Sequence, residues 1–285
     1  MHLPEVHPLW DYKDPVGSEK RFRESLPSTK SSGDDAYIVE LLTQIARAAC
    51  LRRQYDIAHA ILDDAYKLLN DDLKRPRIRY LLERGRIFND TGRTQQALRS
   101  FKEAWGLAEK IGDRVLGADA LHMIAYVSEG EESLRWHHIA IDFCENSDGE
   151  RFQRWLVTLY MNAADKYEDL KEYAHGLDYI QKCLAIAEEL QWSERVLDSQ
   201  CFFARLYRLS GDVENAMVLL EDILKAKDPR GYAFEEYAEC LLLSGQMDQA
   251  RPQFKRAYEL LANDPWYPPT ETERFERIRG LAGLS

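Results

Sequence analysis

Apolar residues along this chain recur three or four positions apart, and the strict alternation that marks strands is missing, so helices are predicted almost throughout. In TGRTQQALRSFKEA, residues 91–104, Ala97, Phe101 and Ala104 share one helical face while Arg99, Lys102 and Glu103 lie off it. A helix on an ordinary core more often carries large residues at all three places. Small, large, small predicts that another backbone passes very close to this face.

The same signature returns along the chain. Ala58, Leu62 and Ala65 carry it first, then Ala97, Phe101 and Ala104, with Ser133, His137 and Ala140 as a weaker copy. Gly176, Ile180 and Cys183, then Ala216, Leu220 and Ile223, then Ala250, Phe254 and Ala257 complete the series. Ahead of each copy runs a second helical stretch with one small residue among apolar ones: Ala46, Gly85, Ala125, Ala164, Ala204 and Ala238, spaced by 39, 40, 39, 40 and 34 residues. Recurrence at a nearly fixed period predicts stacked two-helix units.

Gly92, Gly211 and Gly245 each stand five residues before the small residue of the second helix, where a left-handed residue would end the first helix. Asp212 and Asp248 are placed to cap the helix that follows, which sets Pro252 at the edge of a first turn, where its missing N–H costs at most one bond. The third unit is short: Ala125 to Ser133 is 8 residues against 12 in the others. Its first helix is expected to lose about one turn, or the turn to be reshaped. At the ends, DPVGSEKRFRESL (14–26) predicts a short helix followed by a polar linker, PSTKSSGDD; NDPWYPP breaks the last unit, and TETERFERIRGLA predicts a closing helix.

The arrangement resembles the tetratricopeptide repeat, whose pattern is W-x-x-L-G-x-x-Y, then A-x-x-x-F. LLERGRIF with ALRSF at 81–101, YMNAADKY at 160–167 and FFARLY at 202–207 carry the likeness. The pattern's opening tryptophan is replaced by Leu42, Leu81, Leu121, Tyr160, Gln200 and Phe234. The near-40-residue period is similar to the extended repeats of bacterial peptide-sensing regulators and adaptor proteins. The resemblance implies an all-α, right-handed helical-hairpin solenoid of about six repeats with capping helices at both ends. Residues 1–33 then form an N-terminal segment with a short capping helix, 34–265 six helix pairs, and 266–285 a C-terminal cap. One continuous array is expected rather than two compact domains, with polar outer faces on the end units.

Composition narrows the function. Of 285 residues 45% are hydrophobic, enough for a sizeable interior, and Lys plus Arg at 38 against Asp plus Glu at 49 gives a net charge of −11. An acidic chain repels phosphate backbones, so nucleic acid is not an expected partner. With no signal-peptide pattern and no long apolar run, neither secretion nor a membrane is expected. Five scattered cysteines without a C-x-x-C predict reduced, mostly buried thiols in a cytoplasmic protein.

The motifs of phosphate loops, dinucleotide sites, serine elbows and zinc proteases are lacking, so no enzyme activity, cofactor or metal is expected. His137 and Cys144 are seven apart, about 10.5 Å along one helix, too far for a base to activate a thiol directly. His137 therefore predicts packing. The paired acids Asp34–Asp35, Asp63–Asp64 and Asp71–Asp72 lack calcium-loop spacing and predict solvated helix ends.

By the resemblance, the first helix of each pair lines an inner, concave surface. That implies a peptide-binding groove of Arg47, Arg79, Arg86, Asn89, His122, Tyr126, Asn162, Asp165, Phe202, Arg205, Glu235 and Glu239. Arg47, Arg79 and Arg86 make its early end basic, and Glu235, Glu236 and Glu239 its late end acidic, a gradient that would orient a bound peptide. Asn162 stands where peptide-binding members often place an asparagine, whose carboxamide donates to and accepts from an extended backbone. The lysine–asparagine clamp for chaperone C-termini is not reproduced, so chaperones are not expected partners. The leading expectation is a non-enzymatic scaffold or adaptor holding a protein or peptide segment. A ligand- or peptide-sensing regulator acting through a partner comes second, and a self-associating scaffold, a homo-oligomer, third.

Overall fold

The computed structural model describes residues 6–32, 34–226, 229–263 and 267–284. Among these every regular element is helical. The chain divides into two compact units, residues 1–152 and 153–285. The first holds a 3₁₀ turn (His7–Leu9), α1 (Pro15–Ser32), α2 (Asp35–Leu51), α3 (Tyr55–Leu68), α4 (Lys74–Asp90), α5 (Thr94–Ile111), α6 (Arg114–Val127) and α7 (Gly130–Glu145). The second is built from α8 (Glu150–Asp169), α9 (Tyr173–Glu189), α10 (Ser193–Leu209), α11 (Val213–Leu224), α12 (Gly231–Leu243), α13 (Met247–Leu261), α14 (Tyr267–Thr270) and α15 (Thr272–Leu281), α8 starting just before the division. In each unit consecutive helices pack as hairpins, and first helices also meet the next first helix, as α2 meets α4 and α10 meets α12. No helix among the described residues is long and apolar enough to cross a membrane.

The small–large–small faces are the hairpin contacts. Leu62, Phe101, His137, Ile180, Leu220 and Phe254 are all fully buried, as are Ala46, Ala125, Ala164, Ala204 and Ala238. Where the small residue is glycine, the space for a side chain is already taken. A Cβ on Gly85 would lie 2.4 Å from Phe101 Cε1, and one on Gly176 would lie 3.4 Å from the Ala164 carbonyl oxygen. The large residue therefore covers the small residue of its own hairpin, as Phe101 covers Gly85.

First helices end in a repeated turn. Gly92, Gly211 and Gly245 have φ of +75°, +92° and +75°, and the residue after each donates its N–H to the carbonyl five back, as Arg93 does to Phe88 at 2.7 Å. Arg53 and Lys171 occupy the same place in their hairpins at φ +59° and +61°. A side chain in that region costs roughly 1–2 kcal/mol, against about 0.5–1 kcal/mol of unfolded-state entropy for glycine. Lys171→Gly and Arg53→Gly are each expected to raise unfolding free energy by about 0.5–1 kcal/mol, read by urea unfolding; a loss of stability in both would refute the turn assignment.

Several end positions differ from the sequence reading. The first helix runs to Ser32 rather than Leu26, so the segment expected as a linker continues it. Asp212 caps α11 through the Asn215 N–H, but α13 begins at Met247 behind Gln246, with Asp248 inside its first turn. Pro252 is consequently an internal residue of α13. The predicted break at NDPWYPP partly lies outside the described residues, at 264–266. In the third hairpin α6 stops two residues after Ala125, where the other first helices run on for five. Shortening strips the Ala125 carbonyl of its helical donor, and the Ser133 hydroxyl supplies one at 2.8 Å. His137 Nδ1 donates to the Ser133 carbonyl at 2.9 Å, which explains the polar pair in this copy of the signature.

Candidate functional site

The first helices of the hairpins gather the charged residues. In unit 1, α2, α4 and α6 present a chain of ion pairs. Arg47 Nε lies 3.9 Å from Glu83 Oε2, and Arg79 Nε lies 3.7 Å from Glu40 Oε2. Arg86 Nη1 donates to Glu83 Oε1 at 2.6 Å and its other arm holds Asp119. Burial works against the Asp119 carboxylate, and the adjacent Arg86 guanidinium more than offsets it, holding the pKa below the ordinary carboxylate value. Burial above all pushes the His122 imidazole down to about 4, with Arg86 and His137 adding to the effect and Asp119 opposing it, so the ring is neutral at pH 7. Its ring centroid lies 6.3 Å from that of the exposed Tyr126. Asn89 is half-buried near the end of α4. The structure thus brings Arg47, Arg79, Arg86, His122 and Tyr126 onto one face, but the basic end inferred for it is matched arginine by arginine with Glu40, Glu83 and Asp119.

In unit 2 a cleft of about 850 Å³ is lined by residues of α8, α10 and α12, with Arg230 just before α12, and by Glu271 and Arg274 of the C-terminal segment. Asn162, Asp165, Phe202 and Arg205, four of the residues selected from sequence, line it together. Arg205 Nε lies 2.9 Å from both Glu168 carboxylate oxygens, and Arg205 Nη1 lies 3.6 Å from Glu236. Asp198 sits between Arg230 at 3.3 Å and Arg195 at 3.5 Å. Burial nevertheless lifts the Asp198 carboxyl above its ordinary value.

Glu235 and Glu239, expected at an open acidic end, are buried. Arg274 and the Tyr267 hydroxyl, at 3.2 Å, hold Glu235, and Arg277 Nη2 holds Glu239 at 3.0 Å. Burial raises the Glu235 pKa against the pull of Arg274. This is a correction to the inferred gradient: the acidic end is covered by Tyr267, Arg274 and Arg277 of the C-terminal segment. The signal was in the sequence, since Arg274 and Arg277 at i and i+3 match the spacing of Glu235 and Glu239 at i and i+4 on a facing helix.

All five cysteines are free and buried. Burial foremost pushes the Cys50, Cys144, Cys201 and Cys240 thiols up to about 12, so each is a thiol rather than a nucleophilic thiolate at neutral pH. Cys201, which lines the cleft, is one of them. Among the described residues no cluster of His, Cys, Asp or Glu could hold a metal ion. The cleft offers donors, acceptors and the faces of Phe202 and Tyr232, which is the chemistry of binding.

No family model and no curated protein matches the chain. Solved structures do. A signal transduction ATPase with numerous domains, carrying a tetratricopeptide repeat sensor, from Pyrococcus horikoshii aligns over 93% of this chain with a TM-score of 0.71 at 16% identity. The aligned region is 41% of that protein's length. A tetratricopeptide repeat protein from Parabacteroides merdae aligns over 98% of this chain and 96% of its own, TM-score 0.58 at 15% identity. NprR in complex with its cognate peptide NprX aligns over 96% of this chain and 80% of its own, TM-score 0.63 at 15% identity. At these identities the likeness is one of fold.

Proposed function

We propose, starting from a chain that has the tetratricopeptide repeat fold, that it is a non-enzymatic adaptor holding a protein or peptide segment in the cleft of unit 2. The observation that carries this reading is the lining: Asn162, Asp165, Phe202 and Arg205 converge on about 850 Å³ of open space. A carboxamide, two signs of charge and an aromatic face suit an extended backbone whose side chains alternate in chemistry. That NprR was solved with its cognate peptide supports a peptide as the ligand. Five buried, unpaired thiols support a reducing compartment and so a cytoplasmic setting.

Peptides selected from a random display library on the intact chain are expected to bind with micromolar affinity, and Phe202→Ala or Asn162→Ala to weaken them about ten-fold, the worth of one buried contact. Both side chains are half-buried, so the variants keep the fold. Selected peptides indifferent to both substitutions would sink the reading.

A sensing role has its own support. Glu271 and Arg274 line the cleft and also belong to the segment seated on α12. A ligand drawing on Arg274 would shift its pairing with Glu235 and Glu236, and with it the docking of α15. Hydrogen exchange of α15 with and without a selected peptide separates the two roles: altered protection favours sensing, unchanged protection a passive adaptor.

A further inference from the structure

The ion-paired face of unit 1 carries an occupant supplied by the chain itself. Before α1, Trp10 donates its indole N–H to Gln44 Oε1 on α2 at 2.7 Å. Its ring stacks on Tyr12 at 4.9 Å with only 3° between planes, and meets Phe22 edge-on at 5.1 Å. The Tyr12 phenol lies in the field of Glu83, Arg86, Arg47 and Asp119. Tyr12 is 64% exposed: Trp10 covers one side of its ring and leaves the other open to water. The flanks are fixed: Val6 is buried with Phe22, Leu41 and Ile45, Arg21 Nε donates to the Leu9 carbonyl at 2.9 Å, and Ser18 Oγ donates to the Asp11 carbonyl at 2.9 Å. Releasing the aromatic pair breaks the Trp10–Gln44 bond and turns both rings out, which loosens the flanking Leu9–Arg21 and Asp11–Ser18 hydrogen bonds.

What lies beneath has ligand-accepting capacity left over. Arg79 Nε and Glu83 Oε2 are buried and make no hydrogen bond, their ion-pair partners standing 3.7 and 3.9 Å away. A buried donor and a buried acceptor left unused on a face already touched by an indole mark a place for groups that bring both.

We propose that Gln44, Arg47, Glu83, Arg86 and Asp119 form a second binding site, on unit 1, for a peptide segment carrying an aromatic-x-aromatic pair, and that Trp10–Asp11–Tyr12 is its internal stand-in. Gln44 takes the indole N–H, and Glu83 and Asp119 offer acceptors to a phenol. Arg47 and Arg86 lie close enough for their charge to act on the Tyr12 phenol. A stand-in tethered a few residues away acts at millimolar effective concentration, so only a partner segment that binds better, or is held nearby by a second contact, displaces it. This inference is independent of the cleft in unit 2.

The test uses a labelled synthetic peptide with the chain's own sequence VHPLWDYKD (residues 6–14) and the full-length protein. In the Trp10→Ala/Tyr12→Ala variant the stand-in is gone, and the peptide is expected to bind, by fluorescence anisotropy, roughly ten-fold more tightly than to the unaltered chain. Adding Gln44→Leu to that variant is expected to weaken binding again, and a peptide with alanine at both aromatic positions is expected not to bind. Equal affinity for the variant and the unaltered chain, or no binding to a variant whose circular dichroism shows it folded, overturns the proposal. If the double variant does not fold, hydrogen exchange on the unaltered chain decides. Excess peptide is expected to speed exchange in residues 9–18, and an unchanged rate overturns the proposal.

Discussion

Gly85→Val is expected to unfold the second hairpin or cost it more than about 3 kcal/mol. A Cβ at this position would lie 2.4 Å from Phe101 Cε1 and 2.8 Å from both Cδ1 and Cζ. The ring cannot move aside, because Phe101 is fully buried in a cluster with Ile78, Leu82, Ala120 and Ile124. Even Gly85→Ala trades about 1 kcal/mol of helix propensity for about 1–3 kcal/mol of overpacking. Gly106→Ala is the control. It lies on α5 with nothing within 4 Å of its Cβ position, and is expected to stabilise by about 0.5–1 kcal/mol. Urea unfolding of the full chain measures all three. Phe101→Leu combined with Gly85→Ala should recover part of the loss, since the two residues share one space. A Gly85→Val protein as stable as the parent would end the close-packing account of the hairpins.

Glu236→Ala is expected to cost about 3–5 kcal/mol and to loosen α15. This carboxylate is only 3% exposed and serves three guanidiniums: Arg208 Nη2 at 2.7 Å, Arg274 Nη2 at 3.3 Å and Arg205 Nη1 at 3.6 Å. Removing it takes a shared carboxylate from three guanidiniums at the cleft wall: Arg205 keeps Glu168 and Arg274 keeps Glu235, while Arg208 loses its 2.7 Å partner. The exposed pair Lys225–Asp222, at 2.9 Å with both side chains 73% exposed, is the contrast; Asp222→Ala is expected to change stability by less than about 1 kcal/mol. Hydrogen exchange should locate the Glu236→Ala effect in α12 and α15, because Arg274 links them. A cost below about 1 kcal/mol, with α15 still protected, would show that α15 is held by its apolar contacts with α13 alone.

The arrangement of helices was largely legible in the sequence, because each unit repeats a local rule. A small residue appears wherever two backbones approach, and Ala46, Gly85, Ala125, Ala164, Ala204 and Ala238 mark that approach without reference to anything distant. The shortened third hairpin could be read from a count of eight residues where the others have twelve. Turn-forming glycines at 92, 211 and 245 announced their left-handed backbone, whereas Arg53 and Lys171, which adopt it too, gave no sign. Their conformation is imposed by the helices on either side.

The candidate sites were half legible. Periodicity marks the residues on a helix face, and Asn162, Asp165, Phe202 and Arg205 do come together. Whether a charge on such a face meets solvent or a partner depends on residues far away in the chain. Glu235 and Glu239 read as an open acidic end until Arg274 and Arg277, some 38 residues on, cover them. The inferred basic end disappears in the same way, with Arg47, Arg79 and Arg86 answered from a neighbouring hairpin by Glu83, Glu40 and Asp119. Trp10 and Tyr12 carried no helical pattern at all, and only the fold lays them across α2 within reach of Gln44. The sequence by itself determined the helices, their turns and their stacking faces, because those follow from local sterics and a period of 3.6 residues. Tertiary structure alone decided which charges remain available for binding, because pairing and desolvation act between side chains that the chain order does not place together.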